Sequence, residues 1–136
     1  MSENQRRVEL VAAWVLNAEE HFRVMNILLN VENPPWGSIA FNAQQTAEKY
    51  LKALLLLRGI DFPKTHDLSK LLTLFPEAPP LAWTPQDAAA LSEQAVAPRY
   101  PDEFEPTGER EAQKVVGLAV DARQRIRDLL PTEALG

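Results

Sequence analysis

The chain has 136 residues, 46% of them apolar and 24% charged, with a formal net charge of −5. This length supports one domain that buries roughly two thirds of its unfolded surface, so folding requires neither cross-link nor metal. The absence of cysteine excludes a disulfide framework, a thiol nucleophile and a cysteine-ligated zinc site, and the acidic balance argues against a broad basic surface for non-specific nucleic-acid binding while leaving room for a local basic groove.

The N-terminal stretch MSENQRRVEL contains no apolar run of signal-peptide length, and no segment approaches the ~20 apolar residues of a membrane-spanning helix. Residues 53–57 are all apolar, but the run is short and lies between Lys52 and Arg58. These features predict a cytoplasmic protein with no membrane association. Eleven prolines gather at 34–35, 63, 76–85 and 98–106, with one more at 131. The blocks between them, 1–33, 36–62, 64–75, 86–97 and 107–130, each read as helix.

In the first block Val8, Val11, Ala12, Val15, Ala18, Phe22 and Met25 recur at mostly three- and four-residue steps. The second block stops near Gly59, a common helix terminator. The third, THDLSKLLTLF, takes Thr65 as its N-cap with Asp67 in the first turn, where negative charge suits the helix dipole. The fourth starts with Thr84 as cap and Pro85 at the first helical position. The fifth follows Thr107, carries Glu109 and Glu111 early and Arg125 and Arg127 late, and lines up Val115, Val116, Leu118, Ala119, Ala122, Ile126, Leu129 and Leu130 as an apolar stripe. No block shows the alternation of a strand. The expected fold is therefore all-α: one domain over 1–136, an up-and-down bundle of about five helices, four long and one short, with a core over about 8–130 and frayed ends.

The second helix has two faces. At about 100° per residue, Ala40, Ala43, Ala47, Tyr50, Leu51, Leu54 and Leu57 fall on one side and form a core stripe. Gln44, Gln45, Glu48, Lys49 and Lys52 fall on the other. Phe41, Leu55 and Leu56 edge that polar strip, and large apolar groups there require a cover. The cover is either a second copy of the chain, which makes Phe41, Leu55 and Leu56 a dimer interface, or a ligand, or the chain's own third helix and proline-rich linker.

FNAQQTAEKYLKALLLLRGIDFPKTHDLSKLL resembles the signature of the HEPN domain family (higher eukaryotes and prokaryotes nucleotide-binding). The matching residues are Gln44, Gln45, Glu48, Lys49, Leu51, Lys52, Ala53 and Gly59, followed by Thr65, His66, Asp67 and Leu68. Further on, PRYPD is similar to the family's Arg-Tyr-Pro turn at Arg99, Tyr100 and Pro101, and Trp14 and Ala18 match its opening helix. The resemblance spans about 14–128. It departs at His21, where the family usually has aspartate, so any role of that aspartate does not carry over. The resemblance implies a helical bundle, often a homodimer, a nucleotide or RNA ligand, and a small nucleotidyltransferase as partner, as in toxin–antitoxin pairs.

Some branches of the family are metal-independent ribonucleases whose motif places arginine four to six residues before histidine. Here the nearest arginine upstream of His66 is Arg58, with seven residues between, so the usual motif is absent. Two isolated histidines lack metal-ligand spacing, no glycine-rich phosphate loop is present, and Ser38, Ser69 and Ser92 lie in no nucleophile elbow; no metal or cofactor is expected. The primary reading is a non-catalytic binding module that holds a nucleotide or RNA end with Gln44, Glu48, Lys52, His66, Arg99 and Tyr100. A guanidinium at Arg99 suits phosphate and the Tyr100 ring suits base stacking, although both also fit a structural turn. One alternative is a ribonuclease with a displaced site, His66 as base and Arg58, Lys64 or Arg99 on the phosphate. Another is a purely structural dimerisation module.

Overall fold

The computed structural model describes residues 1–95 and 106–136, and among them places five α-helices and no strand. Helix α1 (Glu3–Leu29) begins under a reciprocal cap, in which the Gln5 N–H donates to the Ser2 hydroxyl at 3.1 Å and the Ser2 N–H donates to the Gln5 side chain at 2.8 Å. Such a cap satisfies donors that a helix start leaves open, so a formed first turn stands where the sequence suggests fraying. The chain reverses through Asn30 and Asn33. Asn33 holds φ at +53°, a left-handed conformation that asparagine adopts more readily than most residues.

Helix α2 (Trp36–Leu57) follows the Pro34-Pro35 pair and ends at Gly59, whose φ is +71°. There the N–H groups of Gly59 and Ile60 donate to the carbonyls of Leu56 and Leu55 at 3.0 and 2.9 Å, closing the helix end. A side chain at 59 would meet Arg7, because a Cβ there would lie 2.8 Å from Arg7 Nη1. Glycine is thus favoured chiefly for its backbone, since the Arg7 head group can move aside for a small side chain.

The later elements are α3 (Leu68–Thr73), α4 (Pro85–Ser92) running on into a 3-10 turn at Glu93–Ala95, α5 (Glu109–Arg127), and a closing 3-10 turn at Thr132–Ala134. Asp67, rather than Thr65, caps α3, accepting from the N–H groups of Ser69 and Lys70; Thr65 instead accepts from the Asp67 N–H at 3.1 Å, two residues before the helix. Thr84 caps α4 as the sequence predicts, in a reciprocal box with Asp87. The last turn packs against α1, where Ala134 is buried. This is a second terminus more ordered than expected.

Helix α2 is the axis of the bundle. Helices α1 and α5 both pack along it, yet nowhere do their Cα atoms come within 8 Å of each other. Ala40, Ala43, Ala47, Ala112, Ala119 and Ala122 are buried, and small residues at these contacts let the helices approach closely. From Asn42 to Leu55 only Lys49 keeps appreciable exposure. The polar strip of α2 is therefore buried as well, covered by the chain itself.

Candidate functional site

Glu48 is the centre of the covered strip and has no exposed surface. Its Oε1 accepts from Gln44 Nε2 at 3.0 Å and pairs with His66 Nδ1 at 2.7 Å; its Oε2 accepts from Lys52 Nζ at 3.1 Å and lies 3.4 Å from Lys49 Nζ. Gln44 Nε2 also reaches the His66 carbonyl at 3.3 Å, and Gln45 Nε2 donates to Gln44 Oε1 at 2.6 Å. Burial alone pushes the Glu48 carboxyl up, but the hydrogen bonds from Gln44, His66 and Lys52 outweigh it and hold the group below its ordinary value. An ionised carboxylate only accepts, so Nδ1 of His66 carries the proton and Nε2 is left for solvent or a ligand.

Aromatic rings roof the two lysines. Lys49 and Lys52 Nζ lie 5.4 and 5.7 Å from the centre of the Trp14 ring, and Lys52 is 5.8 Å from that of Phe62. Trp14 and Phe62 meet edge-on at 5.9 Å. The lysine charge is thus spent on Glu48 and on ring faces rather than presented outward. The THDL loop is held from the other side, where the Leu68 N–H donates to Ser92 Oγ at 2.9 Å and Ser92 Oγ donates to the Ala88 carbonyl at 2.7 Å.

The structure brings Gln44, Glu48 and Lys52, which share one face of α2, together with His66, but gives them unequal access. Gln44 and Glu48 are fully buried and Lys52 nearly so, whereas the His66 side chain is 64% exposed. The expected contact set thus reduces to one imidazole standing on a buried scaffold. Arg99 and Tyr100 lie outside the described residues. Of the three residues expected at a dimer interface, Leu55 is buried in the chain's own core and Leu56 is partly buried. Leu55 has no surface left for a partner because the polar face it edges is closed by the same chain. Phe41 remains 36% exposed, edge-on to His21 at 6.4 Å. His21, where the family usually has aspartate, pairs through Nδ1 with Asn42 Oδ1 at 2.9 Å.

A second polar network joins α1, α2 and α5, and the sequence reading misses it. Arg123 donates to Glu19 through Nε and Nη2, both at 2.7 Å; the Tyr50 hydroxyl donates to Glu19 Oε2 at 2.6 Å; Arg127 Nη1 donates to the Tyr50 oxygen at 3.0 Å. Burial and the bond to Glu19 push the Tyr50 hydroxyl up to about 12. Tyr50 reads as core, Arg127 reads as a dipole partner at a helix end together with Arg125, and Arg123 is given no role. The available signal is the i, i+4 spacing of Arg123 and Arg127, which puts two cations at the edge of the α5 apolar stripe.

Among the described residues no cluster of side chains suits a metal ion, and no helix is long and apolar enough to cross a membrane. The sequence model of the HEPN domain matches residues 11–129. Among solved structures, the crystal structure of ST0689, an archaeal HEPN homologue, is similar with a TM-score of 0.66 and 24% identity, over 89% of this chain and 98% of that one. No curated protein matches the chain.

Proposed function

The chain belongs to the HEPN domain family, and from that premise we propose that it is a binding module for a nucleotide or an RNA end, acting in the cytoplasm beside a nucleotidyltransferase-type partner as in toxin–antitoxin pairs. The observation that carries this reading is the Glu48–His66 pair at 2.7 Å. A buried carboxylate fixes the orientation of a solvent-facing imidazole. Nε2 then offers an acceptor when neutral and a donor to phosphate oxygen when protonated. Gln44, Glu48 and Lys52 serve as positioning residues and His66 touches the ligand; Arg99 and Tyr100, which lie outside the described residues, remain in the proposed contact set on the family resemblance alone.

Thermal-shift measurements with ATP, GTP, CTP and short RNA test the proposal. A ligand that binds the folded state raises its melting temperature, and His66→Ala lowers that rise. Absence of stabilisation by every one of these ligands refutes the binding reading and favours a purely structural module. The same carboxylate–imidazole pair also fits a general base, so a second reading is a metal-independent ribonuclease. It predicts RNA cleavage in the presence of chelator that His66→Ala abolishes; no cleavage by the wild type removes it.

The module acts as a homodimer in this reading. Phe41 supplies one part of the interface, and the outer side of α1 supplies the rest. Leu16 is 73% and Val24 40% exposed there, an apolar surface that calls for a cover.

A further inference from the structure

Tyr50 lies about 200° round α2 from Glu48, so the Glu19–Arg123 network stands on the side of the axis away from His66. There α1 and α5 are bridged by side chains alone. Beside the bridge opens a cleft of about 810 Å³, within the range of small-molecule sites, lined by Phe22, Arg23, Asn26, Ile27 and Arg123 with Glu19 as the one carboxylate.

The charges in this cleft do not balance. Among the lining residues Glu19 is neutralised by Arg123. Arg23, one turn beyond Glu19, leaves the lining with one positive charge in excess, being exposed and without an ion pair or side-chain hydrogen bond among the described residues. The chain as a whole carries −5, so this is a local reversal of sign. The Arg123 guanidinium is also held in place, since its carbon lies 4.3 Å from the centre of the Phe22 ring and two of its nitrogens are committed to Glu19. Its remaining nitrogen, Nη1, is the free edge. A guanidinium fixed on a ring loses little freedom when its one remaining nitrogen binds an oxyanion. The surplus positive charge suits an anion, while Phe22 and Ile27 offer apolar area to whatever carries it.

We propose that this cleft binds a phosphate monoester, with Arg23 and the free edge of Arg123 on the phosphate and Phe22 and Ile27 against the attached body. The site is separate from His66, and its failure leaves the reading of that imidazole untouched. The test is an amide NMR titration with AMP, and with one short RNA carrying either a 5′-phosphate or a 5′-hydroxyl. AMP and the 5′-phosphorylated RNA are expected to move resonances of residues 22–30 and 123. Arg23→Ala weakens both at least tenfold with no change in melting temperature, because Arg23 packs against nothing it would unfold, and His66→Ala leaves both unchanged. Equal binding of the 5′-hydroxyl RNA, unaltered affinity in Arg23→Ala, or shifts confined to residues 65–70 each overturn the assignment.

Discussion

Replacing Glu48 by glutamine keeps the shape of the buried side chain and removes its charge. In the wild type that charge accepts from Gln44, His66 and Lys52 and faces Lys49. Breaking a buried charged pair from one side costs roughly 3–5 kcal/mol, because the partner is left uncompensated. The cost here is smaller, since the Lys49 side chain is 18% exposed and both lysines have stems long enough to move their heads toward water. An expected loss of about 2–4 kcal/mol follows, which for a domain of this size lowers the melting temperature by roughly 10 °C. Urea denaturation of Glu48→Gln measures it. Glu48→Gln combined with Lys52→Met is expected to regain part of the loss, because the stranded ammonium is removed along with its partner. The pH dependence gives an independent check. The folded carboxyl titrates below its ordinary value of 4.5, so its contribution is present above that pH and fades as pH falls through the lower folded value. The gap between wild type and Glu48→Gln should therefore close in acid. A loss under about 1 kcal/mol at neutral pH, or a gap independent of pH, refutes the reasoning.

Three further outcomes are expected. In a spectrophotometric titration Tyr50 stays protonated well past the ordinary tyrosine range, titrating at about 12 against a reference of 10.0. A raised folded value means the stabilisation is intact below pH 10 and is lost as pH climbs toward 12, and Tyr50→Phe removes this alkaline loss. Gly59→Ala costs about 1–2 kcal/mol from the left-handed backbone alone, and Arg7→Ala in the same chain relieves the steric part but not the backbone part, as denaturant melts will show. Light scattering should find a dimer that Leu16→Glu converts to monomer with its circular dichroism unchanged; a wild-type monomer at high concentration refutes the proposed interface.

The helices were legible because their signals are local. Thr84-Pro85, the charge order of α5 and the proline clusters each act within a few residues. That Gln44, Glu48 and Lys52 share one face of one helix was legible for a similar reason, whereas His66 joined them in the sequence reading only through the family resemblance. Burial was not legible. Whether a polar face meets water or its own chain depends on where residues 60–68 travel, and no local signal in α2 reports that path. The Glu19–Arg123 bridge spans 104 positions and joins helices whose backbones do not touch. Neither residue carries any mark of the other.

The apolar side of α2 only partly fixes its height. A shift of four residues sets Ala43 where Ala47 was without change in volume, while Ala47 in the place of Leu51 leaves a cavity costing roughly 2–5 kcal/mol. The polar strip adds to that resistance. The same shift brings Gln44 or Lys52 opposite His66 in place of Glu48, and neither is a carboxylate. On the far side it takes the Tyr50 hydroxyl away from Glu19, which sits on a different helix. Directional bonds on two sides of one rod admit a single height and a single rotation. QQTAEKY thus acts as a key cut on both edges, adding direction to a register that the apolar seam sets by volume alone.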